Sequence, residues 1–272
     1  MSTLFERIGQ AFPAIGLDDG RHPAARPPTR SRGAVIAFVG SEATGKSTIL
    51  GRMHAWLSES HRVDRIHAGK PPATALTYLP HVLLPMLRGV FPEQRLTRVE
   101  RRYAEPAGSS GDAFPLLFGL RAVMLGVERR ALLRRAAARA ACGVIVLSDR
   151  YPSSRAGAPD GPQLAHLLPG DPLRRGLAAL ETRLYDAIPS PDLVVALTAP
   201  LEVTLARNAS RSKTEPEDYV RFRHARSAHL EFDGVPVLRI DTHRPLDTVV
   251  DEVRNGIDRA VTRRSASAGS DR

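Results

Sequence analysis

The sequence predicts an α/β protein, a five-stranded parallel sheet with helices on both faces, and three observations lead there. Five short runs, apolar at their centres, recur at 34–39, 63–67, 143–149, 192–198 and 235–240, as expected of strands covered on both sides. The segments between them are long enough for helical crossovers, the alternation that builds a parallel sheet. The first run, AVIAFV, leads directly into a glycine-punctuated loop and an amphipathic helix, a recognised strand–loop–helix unit.

Composition limits the alternatives. With 42% hydrophobic residues among 272, disorder along the whole chain is excluded. A core large enough for a catalytic site is available, and the length suits one elaborated domain or two smaller ones. The 39 Lys and Arg outnumber the 29 Asp and Glu, and only Lys46, Lys70 and Lys213 are lysines. Such a surplus suits nucleic acid, an anionic membrane surface or phosphorylated small molecules; an Arg- and Ala-rich composition is also what genomic nucleotide bias produces. The arginines are dispersed and aromatics make up only 5%, which argues against a dedicated nucleic-acid platform. The single cysteine, Cys142, excludes an intrachain disulfide and a multi-cysteine zinc site; its apolar neighbours predict a buried thiol. No apolar run approaches the ~18 residues of a membrane-spanning helix, and Glu6 and Arg7 interrupt the N-terminus too early for a signal peptide. A cytoplasmic protein is expected.

Taken in order, residues 1–33 are expected to form an extension, with Leu4, Phe5, Ile8 and Phe12 ahead of the basic, Pro-rich RHPAARPPTRSR. It is either a docking or membrane-surface helix or, the reading we prefer, a loosely packed arm. A main domain is expected over 34–261. After the first strand and its loop, Ile49, Leu50, Met53, Trp56 and Leu57 form the inward stripe of a helix. VDRIH supplies the second strand. The stretch 68–142 is too long for a simple crossover. It holds the Pro-punctuated KPPATALTYLPHVLLP, then a helix near 113–142 with Leu120, Val123, Met124, Val127, Ala131, Ala138 and Cys142 on one stripe. An insertion of this size suits a substrate wall. GVIVLSD and DLVVALT give two further strands, and a short helix after Pro200 leads to a polar lid near 207–218. VPVLRI closes the sheet, and 262–272 reads as a flexible polar tail.

The chemistry is concentrated in three places. Gly40-Ser41-Glu42-Ala43-Thr44-Gly45-Lys46-Ser47-Thr48 satisfies G-x-x-x-x-G-K-[ST] in the setting that motif requires. Gly40 and Gly45 let successive N–H groups converge on one anion-sized hollow, and the following helix adds its positive end. Lys46 reaches β- and γ-phosphates, and the Ser47 hydroxyl ligates Mg²⁺. In VIVLSDRYPSS, Asp149 ends a strand beside the phosphate loop, where a carboxylate holds Mg²⁺ through water or accepts a proton. Arg150 faces the same crevice, suited to a phosphate or carboxylate. In PLEVTLARNASRSKTEPEDY, Arg207, Arg211 and Lys213 are candidates for cations arriving over a migrating phosphoryl group.

These motifs, with the final IDTHRPLDTVVDEV, resemble the thymidylate kinase branch of the P-loop nucleoside and nucleotide kinases over about 34–261. The resemblance implies a parallel sheet of order 2-3-1-4-5, ATP with Mg²⁺ as donor, a small-molecule phosphoryl acceptor, a lid over the transferred group and a homodimer. It places Glu42 against the acceptor sugar, and Phe118 and Arg121 of LLFGLR on the acceptor base, at a spacing of three where the family has four. With no arginine inside the loop, it assigns the cationic clamp to Arg207 and Arg211.

Two departures fall on the acceptor side. HAGKPP at 67–72 replaces the family's R-E-P-G-G segment and lacks its acid. That leaves Asp149 as proton acceptor and makes His67 and Lys70 candidates for contact with an anionic acceptor. RAGAPDGP, containing Asp160, replaces an aromatic-Gln element near the base. The leading expectation is therefore an ATP-dependent phosphotransferase acting on a nucleotide or nucleoside. The alternatives are a sugar or other metabolite kinase, or a nucleotide-dependent switch with a macromolecular partner.

Overall fold

In the computed structural model of the chain, the described residues are 33–78, 116–167, 171–212 and 214–270. Most of the expected N-terminal arm, residues 79–115 of the expected insertion, and Lys213 lie outside them.

Strands β1 (Val35–Val39), β2 (Val63–His67), β3 (Ile145–Asp149), β4 (Leu193–Thr198) and β5 (Val237–Asp241) form one parallel sheet in the order β2-β3-β1-β4-β5. This is the predicted architecture. The period-2 geometry of a strand divides β1 between two cores. Ile36 and Phe38 face one side with α1 (Lys46–Ser58) and α6 (Leu246–Ser270), through Ile49, Leu50 and Met53 and through Val249, Val253 and Ile257. Val35, Ala37 and Val39 face the other, against Leu133, Ala136 and Ala140 of α2 (Leu116–Ala141). Helix α3 (Pro172–Asp186) starts with the Asp171 carboxylate accepting from Arg174 N–H and with Pro at its first position, an entry that satisfies an otherwise open donor. It packs on α2 through a third cluster containing Phe118, Ala122, Ala178 and Leu184. Helices α4 (Leu201–Ala209) and α5 (Glu217–Ser227) connect β4 to β5.

Helix α2 corrects the expected stripe. Val123 and Met124 are buried, but Leu120 is 44% exposed and Ala138 is exposed. The buried face is Phe118, Ala122, Gly126, Arg129, Leu133, Ala136 and Ala140, spaced four, four, three, four, three and four. Small residues win this face because α3 lies close. A Cβ on Gly126 would come within 3.3 Å of the Tyr185 ring and 3.4 Å of Leu184. Cys142, expected to be buried, is exposed just past the helix end. No helix among the described residues is long and apolar enough to cross a membrane.

Candidate functional site

The parallel register brings three strand ends level. Phe38 of β1 pairs with Asp149 of β3, and Asp149 pairs with His67 of β2. The loop leaving β1 turns immediately, with φ of 142° at Gly40, 57° at Ala43 and 84° at Gly45. Gly40 is sterically required, since a Cβ there would sit 2.2 Å from the Leu197 carbonyl oxygen of β4. No side chain caps the N-terminus of α1, so its first-turn N–H groups keep the donor capacity that suits an anion. Within the loop Thr44 Oγ1 donates to Ser41 O at 3.0 Å. Lys46 is 7% exposed and its Nζ donates to Gly40 O at 3.1 Å, to Ser41 O and to Thr44 Oγ1. Burial, reinforced by the Arg150 charge, pushes the Lys46 ammonium down to about 8, against the opposing pull of Glu42 and Asp149. Ser47 and Thr48 follow as exposed residues of the first helical turn.

Asp149 Oδ1 is buried without a hydrogen-bond partner, an unusual state for a carboxylate oxygen. An orphan oxygen at the end of β3, with the exposed Ser47 hydroxyl opening α1, is a donor set that fits Mg²⁺. This cation takes one or two protein oxygens and fills its remaining positions with water and substrate phosphate. Among the described residues no group of three or more His, Cys, Asp or Glu is arranged to hold a metal by itself.

Next to this lies a closed ring of charge. Arg150 has a left-handed backbone (φ 71°) and its N–H donates to Phe38 O at 2.9 Å, a turn that sends the guanidinium across the loop. Its Nη2 donates to Glu42 Oε1 and its Nη1 to Asp160 Oδ2 at 3.1 Å. Arg223 of α5 meets the same two oxygens, Asp160 Oδ2 at 3.3 Å and Glu42 Oε1 at 3.8 Å. Burial works against both carboxylates. Arg150 nevertheless holds Glu42 below the usual carboxylate range, and Arg223, Arg150 and Arg129 hold Asp160 far below it.

Arg129 anchors the ring from beneath. Its Nε donates to Ala68 O at 3.0 Å, Nη1 to Asp160 O at 2.9 Å and to Tyr185 Oη at 2.7 Å, and Nη2 to Asp160 Oδ1 at 3.0 Å. Glu181, fully buried, accepts from Gln163 N–H and Leu164 N–H and so fixes the loop that carries Asp160. Burial raises its carboxyl above the ordinary range despite those two bonds.

The remaining candidates divide. His67 lies at the site, its Nδ1 accepting from Gly69 N–H at 3.2 Å and its ring pulled to lower pKa by burial. Gly69 passes so near Arg150 that a Cβ would meet Arg150 Cδ at 2.2 Å. Lys70 is exposed beyond that turn. Phe118 lines a cleft beside the ring, whereas Arg121 faces Glu128 at 3.6 Å. Arg207 bonds the residue that follows β5, to Thr242 Oγ1 at 3.2 Å and Thr242 O at 2.8 Å. Arg211 is exposed after α4.

Sequence reasoning passed over Arg129, Arg223 and Glu181. Arg129 had a readable signal, a charge at helical spacing within an apolar stripe. Arg223 had none, being one of several arginines in a charged helix.

No protein-family model matches the chain. Two curated relatives, both named "Uncharacterized ATP-binding protein YghR", come from Escherichia coli strain K12 and from E. coli O6:H1 strain CFT073. Each is 25% identical over 233 residues, a span of 82% of this chain and 86% of the relative. Over most of its length the chain is thus similar to proteins whose name assigns them ATP binding.

Proposed function

We propose that the chain binds ATP with Mg²⁺ at Gly40–Thr48 and transfers its γ-phosphoryl group to a small-molecule acceptor in the adjoining cleft. The observation that carries this reading is Asp149 Oδ1, buried and unpartnered at a strand end level with the glycine turn that leads to Lys46. A phosphate hollow alone serves many nucleotide-binding proteins. A carboxylate beside it, with a cleft alongside, provides what phosphoryl transfer needs. The ATP-binding name of the two relatives supports the donor.

In this reading the loop amides and Lys46 hold the β- and γ-phosphates, while Ser47 and Asp149 hold Mg²⁺, which neutralises phosphate charge when bound. An acceptor oxygen attacks the γ-phosphorus, the bond to the β–γ bridging oxygen breaks, and ADP leaves. The acceptor's proton passes to Asp149. Arg150, held charged between Glu42 and Asp160, offers its guanidinium to the transferred group. Glu42, His67, Phe118 and Arg121 remain the acceptor-side candidates. Arg207 of α4, held by Thr242, and Arg211 just after that helix remain the candidates for the cationic clamp.

The test is conversion of ATP to ADP by purified protein against a panel of nucleosides, nucleoside monophosphates and sugar phosphates, with Lys46→Ala alongside. Acceptor-dependent turnover that falls by three orders of magnitude or more in a folded Lys46→Ala supports the proposal. Near-normal turnover in that variant removes the donor assignment, and hydrolysis stimulated by no small molecule favours a switch.

A further inference from the structure

The cleft beside the phosphate loop has walls and charges that specify its occupant. Its apolar lining joins Phe118 and Leu125 of α2 to Phe222 of α5, and its polar lining includes Arg129, Arg223 and Arg226. The one side-chain amide of the described lining has its donor occupied, because Gln163 Nε2 donates to Ala158 O at 2.8 Å and Gly161 O at 2.9 Å, which leaves its Oε1 as an acceptor. Asp160 is shared among three arginines, and Arg129 is bonded at all three of its nitrogens. Arg121, assigned to an acceptor base by the family resemblance, faces Glu128. The described lining therefore offers little with which to read the edge of a base.

Arg223 is different. Its side chain is 12% exposed, yet its Nε is buried with no hydrogen-bond acceptor, the nearest carboxylate oxygen lying 3.8 Å away. Three cations, Arg129, Arg150 and Arg223, meet two carboxylates here. Arg226 lies over the face of Phe222 at 5.1 Å. A surplus of positive charge in a half-desolvated cleft with aromatic walls selects an anion attached to an apolar body.

We infer that the acceptor is a compact aromatic or apolar molecule bearing an oxyanion, phosphate or carboxylate, that Arg223 binds this oxyanion, and that the described lining does not read base identity. The inference rests on the phosphotransferase reading and narrows its acceptor.

Calorimetric titration of the full chain with phenyl phosphate, benzoate, thymidine, thymidine 5′-monophosphate and guanosine 5′-monophosphate tests it, with ATP titrated separately. The expected result is that the anionic probes bind, that thymidine binds at least tenfold more weakly than its monophosphate, and that the two nucleotides agree within about threefold. Comparing benzoate with phenyl phosphate identifies the preferred oxyanion. Arg223→Ala should lose tenfold or more in affinity for phenyl phosphate, and more than it loses for ATP. Arg223→Lys, which keeps the charge without the Nε donor, should fall between, and both are checked for folding by thermal unfolding. The inference is overturned if no anionic probe binds, if thymidine matches its monophosphate, if one base is preferred tenfold, or if both folded variants bind phenyl phosphate normally. ATP binding without anion binding sinks this inference alone, whereas anion binding without ATP binding sinks the phosphotransferase reading alone.

Discussion

Lys46 carries the most perturbed lysine chemistry in the described chain. Burial and the neighbouring Arg150 favour its neutral form and bring it down to about 8, whereas a bound triphosphate favours the ammonium. Nucleotide binding should therefore raise its pKa, with uptake of a proton when the free protein is titrated above pH 8. ATP affinity should be nearly level from pH 6.5 to 7.5, then weaken toward about tenfold per pH unit beyond the free-state value. Calorimetry in two buffers of different ionisation enthalpy measures both the affinity and the proton. A flat affinity between pH 7 and 9.5 would place the Lys46 ammonium away from the phosphates. Asp149 offers a second check, because its buried oxygen has no hydrogen bond to lose, although its charge favours the Lys46 ammonium. Asp149→Asn should leave thermal stability almost unchanged while cutting turnover by a hundredfold or more. A large drop in Tm without loss of turnover would make Asp149 structural.

At the level of elements, the phosphate loop depends on two glycines for different reasons, and substitution separates them. Gly45 has φ 84° but open space around its Cβ position, so Gly45→Ala costs only the left-handed penalty of about 1–2 kcal/mol. Gly40 combines φ 142° with a Cβ position 2.2 Å from the Leu197 carbonyl, and relief requires β4 to move away from β1. Gly40→Ala should cost more than about 3 kcal/mol, and denaturant unfolding of the two variants measures the difference. Equal losses would contradict the close approach of loop and sheet. The same elements show what a sequence makes legible. The five strands, the loop and α1 are contiguous, periodic patterns whose meaning is local, and they stand where the pattern put them. In helix α2 the expected stripe includes Leu120, which is exposed, and leaves out Ala122, Gly126 and Ala136, which are buried. Close helix packing selects small side chains instead. Glu42, Arg150 and Asp160 each stand out in the sequence but their pairing does not, since Arg150 meets a loop residue 108 positions earlier and Arg223 meets Asp160 across 63 positions. No local period encodes such a pairing.

Across the whole molecule, Asp160 is where separate parts of the chain are joined. Through Arg129 it is tied to the turn after β2 and to α3, through Arg150 to the phosphate loop, and through Arg223 to α5. Asp160 and Glu42 both ionise more readily folded than unfolded. Their contribution is thus complete above the unfolded values of 3.8 and 4.5 and disappears as pH falls through the lower folded ones. Glu181 acts in the opposite sense. Its raised folded pKa means that folding takes up a proton above pH 4.5, which offsets part of the loss on the way down. Stability should therefore hold from pH 7 to about 4.5 and fall steeply below 4. Asp160→Asn leaves three buried arginines short of one counter-charge and should cost about 3–5 kcal/mol at pH 7. The difference between the two proteins should begin to narrow below pH 4, because the unfolded chain then takes up a proton at Asp160 that the folded chain, with its lower pKa, does not. Urea unfolding of both proteins from pH 7 to 3 measures this convergence. Curves that stay parallel over that range would mean that another group controls the acid limb and that the ring does not hold these elements together.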